Sequence, residues 1–193
     1  MVYESTIALP IGSTVPIAYL RAFETRVAPT GPIRYLHAVR SPAGGIDQDN
    51  LQQLERAYGR LLPGFLADYQ RWAQRHPFDT ILKVPSSANH ADPYLNALRG
   101  IFRDAADLSA CFVKNPHWRA GLNSALQQAI QAITIDSDFD ASNSHRIVVV
   151  DDSISSGNSV SALIHHLRSR RLPENSQIWL VIPLCLKTLA AAP

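Results

Sequence analysis

Apolar positions along the chain follow two recurring patterns, short continuous runs and stretches with helical spacing. The run Ile147-Val148-Val149-Val150 is β-branched throughout, which is typical of a strand buried on both faces of a parallel sheet. Other runs and turn residues predict further extended segments. These are short strands and turns within the first 30 residues, a strand at Ile33–Val39, a turn at 41–45, and strands at 79–84, Ala110–Val113 and Ile178–Leu186, the last shortened by Pro183.

The spaced pattern predicts amphipathic helices between these strands. One begins near Asp47 or Asn50, is interrupted at Pro63-Gly64 and resumes to about Arg75. Three more are predicted at about 93–108, from Leu122 to Ile133 and from Val160 to Leu167. Strands that alternate with helices indicate an α/β fold, in which an open parallel sheet is flanked by helices.

Length and composition are those of one folded domain. The chain has 193 residues, of which 46% are hydrophobic and 18% are charged, and this excludes a disordered tail or a coiled coil. The net charge of +2 argues against general electrostatic capture of DNA or of a membrane. We expect a cytoplasmic protein, because there is neither a signal peptide nor an apolar run long enough to span a membrane. Cys111 and Cys185 lie in apolar runs, as expected of buried, reduced thiols.

Candidate chemistry is concentrated in residues 146–159, Arg-Ile-Val-Val-Val-Asp-Asp-Ser-Ile-Ser-Ser-Gly-Asn-Ser. The apolar strand would hold the following loop at the carboxyl edge of the sheet, where open α/β sheets bind ligands. Asp151 and Asp152 can contact ribose hydroxyls or Mg²⁺, directly or through water. The small, hydroxyl-rich run 155–159 leads into a helix, so its amides can bind an anion, and Gly157 permits a close approach or a positive φ. These groups suit a phosphorylated sugar with vicinal diols.

This segment resembles the binding signature for phosphoribosyl diphosphate (PRPP) of type I phosphoribosyltransferases. That signature has four apolar residues, two acids, two variable residues and a small hydroxyl-rich run with glycine, in the order found here. The resemblance extends over about Ile33 to Lys187, and its layout is most similar to the competence-associated, ComF-type members. It implies one phosphoribosyltransferase-like domain over 1–193, with a core at 33–187 and residues 1–32 as an N-terminal extension or partial hood.

Two other classes of protein share an apolar run that ends in two acids. In response-regulator receiver domains the acidic pair lies near the start of the domain, whereas only 41 residues follow Asp152 here (193 − 152). A Walker B strand would need a phosphate loop that ends in Gly-Lys-Ser or Gly-Lys-Thr, and the chain has none. A strand, an acidic turn and a capped helix without any ligand remain an open structural alternative.

The resemblance implies a role for each part of the site. Mg²⁺ bridges ribose and pyrophosphate, and Asp151 and Asp152 face the ribose hydroxyls. The 5′-phosphate is bound by the amides and hydroxyls of Ser155, Ser156, Gly157, Asn158 and Ser159. The place of the family's pyrophosphate loop, after the strand at 79–84, is occupied by Ser86, Ser87, Ala88 and Asn89. The family's mobile basic loop corresponds to the region of Lys114 and Arg119, which with the two acids are the candidate catalytic residues.

The implied activity is Mg²⁺-dependent transfer of the phosphoribosyl group of PRPP to an acceptor, with release of pyrophosphate. Serine at position 155 argues against the purine-salvage members, which often carry an acid there. The lack of glycine in the pyrophosphate loop and a slight nucleobase hood favour an alternative, a non-catalytic PRPP- or nucleotide-binding regulatory module that acts through a protein or nucleic-acid partner. A hydrolase that uses water as acceptor is a third alternative, and all three are compatible with a homo-oligomer.

Overall fold

The computed structural model describes residues 1–23, 48–86, 89–115, 126–154 and 156–186. Its strands are β1 (Tyr3–Ala8), β2 (Thr14–Phe23), β3 (Thr80–Lys83), β4 (Ala106–Asp107), β5 (Phe112–Lys114), β6 (Ile133–Ile135), β7 (Arg146–Val150), β8 (Ser153–Ile154) and β9 (Gln177–Leu186). Its helices are α1 (Gln48–Ala73), α2 (Asp92–Ile101), α3 (Leu126–Ala132) and α4 (Asn158–Arg168). Within these ranges there are also short 3₁₀ turns at Asn89–Ala91 and Ser109–Cys111.

Seven strands form one sheet, in the order β1-β2-β9-β7-β3-β4, with β8 added beside β9. Every pair in it is parallel except β1 with β2. The β-branched run forms β7 near the middle, where Ile147 pairs with Thr80 of β3 and with Ile178 of β9. Ile147–Val150 are buried, as expected of a strand that is covered on both faces. The structure confirms an α/β fold with a mostly parallel sheet flanked by helices.

Helices cover both faces of the sheet, because alternate side chains of each strand point in opposite directions. On one face Val149 packs with Val160 and Leu163 of α4. On the other face Val148 and Val150 pack against α1 and α2. The side chains that these two helices contribute include Tyr58, Phe65, Tyr69, Trp72, Tyr94 and Leu98. The core therefore has two layers, one on each side of the sheet.

The direction in which the chain adds strands reverses between β3 and β7. From β3 the chain passes through α2 to β4 on one side, and it later returns to β7 on the other side of β3. Ligands of open α/β sheets bind outside the carboxyl ends of the strands at such a switch point. Lys83 of β3 pairs with Val150 of β7 at this end. The segments 84–86 and 151–154, which follow the two strands, therefore begin side by side.

The interruption that we expected at Pro63-Gly64 is wrong, because α1 continues from Gln48 to Ala73. Proline inside a helix costs about 3 kcal/mol, since it lacks an amide N–H and its ring meets the carbonyl four residues earlier. On either side of the proline, however, α1 buries Leu61 and Phe65. Each buried side chain of this size contributes about 1.5–3 kcal/mol. Packing of the apolar stripe therefore outweighs the local penalty.

The expected shortening of the last strand is also wrong, because β9 passes through Pro183. Pairing of β7 with β9 ends at Val150 with Val181, and pairing of β8 with β9 begins at Ser153 with Leu184. Pro183 falls in the gap between these two ladders. Its missing N–H interrupts no ladder pair on that side, and such positions tolerate proline.

The region between β3 and β7 differs from the prediction at three boundaries. Helix α2 ends at Ile101 rather than near 108, and the next strand of the main sheet is Ala106–Asp107 rather than Ala110–Val113. The apolar run at 110–113 instead enters β5, which pairs with β6 in a separate antiparallel ladder. Ile133, expected at the end of a helix, begins β6. A two-residue strand is too short to show a strand period in the sequence.

The first 23 residues belong to the same sheet as the later strands. β1 and β2 form an antiparallel hairpin, and β2 pairs in parallel with β9 from Ile17 to Phe23. The strand expected at Ile33–Val39 and the turn expected at 41–45 lie outside the described residues. The division of the chain into an extension at 1–32 and a core at 33–187 stays a prediction.

Candidate functional site

Asp151 and Asp152 form an acidic turn directly after β7, at the switch point between β3 and β7. The Asp152 amide donates to the Asp151 carboxylate at 2.9 Å. The Asp151 amide donates to the Val181 carbonyl of β9 at 3.4 Å. Both acids are half-buried. The sheet thus holds the backbone of the turn, while the turn itself remains partly open to solvent.

The surroundings of the acidic turn favour the neutral form of Asp151. Burial, and after it the charge of Asp152, raises the pKa of Asp151 well above its usual range. Although part of Asp151 stays exposed, its carboxylate is enclosed enough for desolvation to be the largest cause. The Lys114 ammonium lowers this pKa, so Lys114 of β5 lies within electrostatic reach. Of the residues expected in the site, Lys114 is thus near enough to Asp151 to act on its charge, while the catalytic roles of Asp151, Asp152 and Lys114 remain predictions.

The paired carboxylates fit a divalent cation whose remaining ligands are water and oxygen atoms of a substrate. Within the described part of the chain, no group of three or more His, Cys, Asp or Glu side chains is placed to hold a metal. Mg²⁺ keeps several waters and is usually held by one or two carboxylates together with substrate phosphates. A cation beside Asp151 and Asp152 would also offset the repulsion that raises the pKa of Asp151. The two acids present here therefore fit Mg²⁺.

The small residues after the acidic turn form the entry to α4. Gly157 has φ +72°, in the left-handed region that favours glycine, and its carbonyl accepts the Ser161 amide at 2.8 Å. A Cβ added to Gly157 would lie 3.1 Å from the Leu9 side chain and 3.3 Å from the Pro10 side chain. Glycine is therefore required here twice, by the backbone conformation and by the turn between β1 and β2 that packs on it.

The residues around Gly157 remain partly accessible. Ser156, Asn158 and Ser159 are half-buried, and the Asn158 amide lies 3.4 Å from Ser156 Oγ. Helix α4 has 11 residues and no acid in its first turn, so its N-terminal amides and dipole form a positive end. The loop offers amides and hydroxyls to an anion directly beside two acids. Ser155 lies outside the described residues.

The segment after β3 begins beside the acidic turn. The Val84 amide donates to the Val150 carbonyl at 2.9 Å, which ties the starts of the two loops together. Ser86 is exposed, and Asn89 opens a 3₁₀ turn that leads to α2. Ser87, Ala88 and Arg119 lie outside the described residues, so their roles remain predictions.

Two tyrosines beside the acidic turn were not predicted as part of the site. They are Tyr58 of α1 and Tyr94 of α2, and the pKa of each hydroxyl is raised first by burial and then by the charge of Asp152. In the sequence both residues lie in stretches whose apolar spacing predicts a helix, and such spacing is typical of residues that pack in a core. No local signal distinguishes a core tyrosine from one whose hydroxyl reaches a loop elsewhere in the chain.

The two cysteines are free thiols that differ in burial. Cys185 is buried, as expected, and Cys111 is half-buried. Burial raises the pKa of the Cys185 thiol to about 12 and also raises that of Cys111. The thiolate is the reactive form of cysteine, and a raised pKa disfavours it at both positions.

Comparisons with known proteins give little beyond this geometry. No family model matches the chain, and no curated protein matches it. Among solved structures, it is similar to a hypoxanthine phosphoribosyltransferase from Staphylococcus aureus, with 14% identity over 72% of this chain and 68% of that chain, and a TM-score of 0.39. A similarity this weak carries no argument, so the fold class rests on the strand order above, and the ComF-type layout stays a prediction. None of the helices in the described ranges has the length and hydropathy needed to cross a membrane.

Proposed function

We propose that this protein is a Mg²⁺-dependent phosphoribosyltransferase, which binds PRPP and transfers its phosphoribosyl group to an acceptor with release of pyrophosphate. One observation carries the proposal: the acidic turn 151–152 and the glycine-capped start of α4 follow the same strand, β7, at the switch point of the sheet. Carboxylates suited to a diol therefore stand beside amides suited to a phosphate. The ribose 5-phosphate part of PRPP carries both groups.

In this proposal each end of the sugar has its own partners. The 5′-phosphate binds the amides and hydroxyls at the start of α4, from Ser155 to Ser159, where the positive end of the helix dipole favours an anion. The ribose hydroxyls donate hydrogen bonds to Asp151 and Asp152. These two acids also hold Mg²⁺, directly or through water, and the ion supplies neutralisation of charge on the ribose and pyrophosphate oxygens.

The transfer requires positioning more than covalent chemistry from the side chains. The bond from C1′ to the pyrophosphate oxygen breaks, and a nitrogen of the acceptor forms the new bond to C1′ and loses its proton to solvent. Pyrophosphate leaves with the bonding electron pair, so stabilising its charge lowers the barrier. Lys114, which already lies in reach of the acidic turn, and Arg119 supply positive charge. Hydrogen bonds to pyrophosphate come from the loop with Ser86, Ser87, Ala88 and Asn89.

Titration calorimetry with PRPP and Mg²⁺ tests the binding step. We expect saturable binding that Asp152→Asn weakens about tenfold or more, because a hydrogen bond to a charged acceptor contributes about 1.5–3 kcal/mol. Asp104→Asn is the matched control, since Asp104 is an exposed acid in the turn after α2, and it should bind like the wild type. If neither PRPP nor any ribonucleotide gave heat, the proposal would be excluded.

Release of pyrophosphate separates the transferase from the alternatives. The loop at 84–89, Val-Pro-Ser-Ser-Ala-Asn, contains no glycine, and this favours a regulatory module that binds PRPP or a nucleotide without turnover. The assay is run with a panel of nucleobases and without any base. Release that depends on a base supports the transferase, and release without a base indicates a hydrolase. Binding without release would indicate the regulatory module, which acts through a protein or nucleic-acid partner.

A further inference from the structure

Tyr58 has a buried hydroxyl that lies close to the acidic turn. The residue is 3% exposed. Its hydroxyl lies close to the side chains of Ser153 and Asp152, yet it meets hydrogen-bond geometry with no group in the described part of the chain. Buried polar groups in native proteins are nearly always paired, because an unmade hydrogen bond is costly. An orphaned hydroxyl beside a loop therefore needs an explanation.

The position of the Tyr58 ring is set by helix α2 as well as by its own helix. The Tyr94 hydroxyl donates to the Tyr58 carbonyl at 2.8 Å. The Tyr94 ring meets the Tyr58 ring edge to face, with centroids 6.2 Å apart and planes at 78°. On another side His90 stacks on Tyr58 with centroids 5.7 Å apart. With its ring packed in this way, Tyr58 presents its hydroxyl at a defined place.

The acidic turn is the more adjustable partner. The hydrogen bond from Ser153 Oγ to the Asp152 carboxylate is 3.5 Å long, at the outer limit for such a bond. The phenol O–H of a tyrosine is a hydrogen-bond donor, so Tyr58 can donate to a carboxylate.

We propose that Tyr58 is a positioning residue whose hydroxyl donates a hydrogen bond to the Asp152 carboxylate and holds the acidic turn in the conformation that receives a ribose diol. This inference rests on the proposed function for the identity of the ligand. The contact between Tyr58 and Asp152 itself does not depend on that identity. A hydrogen bond from Tyr58 occupies one oxygen of Asp152 and leaves the other directed to the sugar.

Two buried tyrosines on the same helix provide a matched pair for the test. Tyr69 is also in α1, and its hydroxyl donates to the Ala18 carbonyl at 2.5 Å and lies 3.3 Å from the Ile182 carbonyl. Tyr58→Phe and Tyr69→Phe each remove one hydroxyl from the same buried stripe. Only the first hydroxyl faces the acidic turn, and only the second is paired in the free protein.

The first measurement compares PRPP affinity, in the presence of Mg²⁺, with the melting temperature. Tyr58→Phe should weaken binding about tenfold, as expected for the loss of one hydrogen bond to a charged group, and should leave the melting temperature unchanged or slightly raised. Tyr69→Phe should lower the melting temperature and leave the affinity within twofold. An unchanged affinity in Tyr58→Phe, with the wild type binding PRPP, would overturn the inference.

The second measurement needs no phosphoribosyl ligand. In protein labelled with ¹³C at the tyrosine Cζ atoms, each resonance reports the surroundings of one hydroxyl, and Tyr58→Phe identifies the signal of Tyr58. Asp152→Asn should shift the Tyr58 signal and leave the Tyr69 signal in place. A Tyr58 signal that does not move would overturn the inference even if PRPP binds. A shifted signal in a protein that fails to bind PRPP would support the inference and reject only the proposed function.

Discussion

Helices α2 and α4 both follow strands whose carboxyl ends lie together, but the first turns of the two helices differ in charge. The first turn of α2 carries Asp92, and its carboxylate is paired with Lys83 at the end of β3. The first turn of α4 contains no acid. The positive end of α2 therefore has a negative partner in its own first turn, whereas the first turn of α4 supplies none.

The residues that precede these two helices also differ, in their backbone conformation. Helix α2 begins after Ala91, which has a right-handed conformation, whereas α4 begins after Gly157 at φ +72°. The turn with Leu9 and Pro10 packs on Gly157 and fixes the entry to α4. A helix N-terminus is a candidate anion site where its own first turn carries no acid and a distant segment holds the preceding loop, and α4 meets both conditions.

Among the variants compared here, Gly157→Ala should cause the largest loss of both folding stability and PRPP binding. A left-handed alanine costs about 1–2 kcal/mol, and the close approach to Leu9 at 3.1 Å adds about 1–3 kcal/mol of overpacking. Chemical denaturation measures the loss of stability, and PRPP binding should be lost with the shape of the loop. Gly12→Ala is the control, because Gly12 has φ +77° but its Cβ would meet nothing within 4 Å among the described residues. Equal losses in the two variants would contradict the close approach.

The stability of the acidic turn should depend on pH with a sign that the pKa of Asp151 sets. This pKa is raised from 3.8, chiefly by burial and then by Asp152, so above about pH 4 the folded state keeps a proton that the unfolded chain has lost. Wild-type stability should therefore fall as the pH rises from there through the raised pKa. Asp151→Asn removes this dependence. In thermal melts, the melting temperature of Asp151→Asn should therefore rise relative to that of the wild type as the pH increases. Asp104→Asn should follow the wild-type curve, and two parallel curves for wild type and Asp151→Asn would contradict the shift.

An acid placed in the first turn of α4 should make that helix resemble α2. We expect Ser159→Asp to weaken PRPP binding about tenfold, equivalent to about 1.4 kcal/mol, because the new carboxylate repels the 5′-phosphate. Its folding stability should be unchanged or raised by about 0.3–1 kcal/mol, since an acid at a helix N-terminus is favourable. Ser159→Asn adds the same bulk without charge. If both variants bind PRPP equally well, the phosphate does not bind at this helix end.

The smallest effect is expected at the other helix. Asp92→Asn breaks the pair with Lys83, which is partly exposed, so the loss of stability should be no more than about 1 kcal/mol. PRPP affinity should stay within twofold, as measured by calorimetry. A large loss of affinity would place the N-terminus of α2 in the site and would reverse the comparison.

The parts of the fold that were predicted correctly are those with a long and regular pattern. The β-branched run of β7 and the apolar run of β9 identify strands buried on both faces, and helical spacing identifies α1 and α4. The predictions failed at Pro63 and Pro183, where a local rule for proline gave way to the packing around it. They also failed at β4, whose two residues are too few to carry a period.

The residues that define the candidate chemistry could be identified from their order in the sequence alone. Asp151, Asp152 and Gly157 lie within seven positions of one another, directly after a buried strand, and such close neighbours meet at the end of that strand whatever the rest of the fold does. Lys114 was assigned to the site only through the family resemblance. Tyr58 and the Leu9 side chain were not expected there, and they reach the acidic turn and Gly157 from distant parts of the sequence. Their positions depend on the strand order and on which helix covers which face, and a contact between remote segments leaves no periodic trace in the sequence. Only the tertiary structure could therefore decide what surrounds the acidic turn.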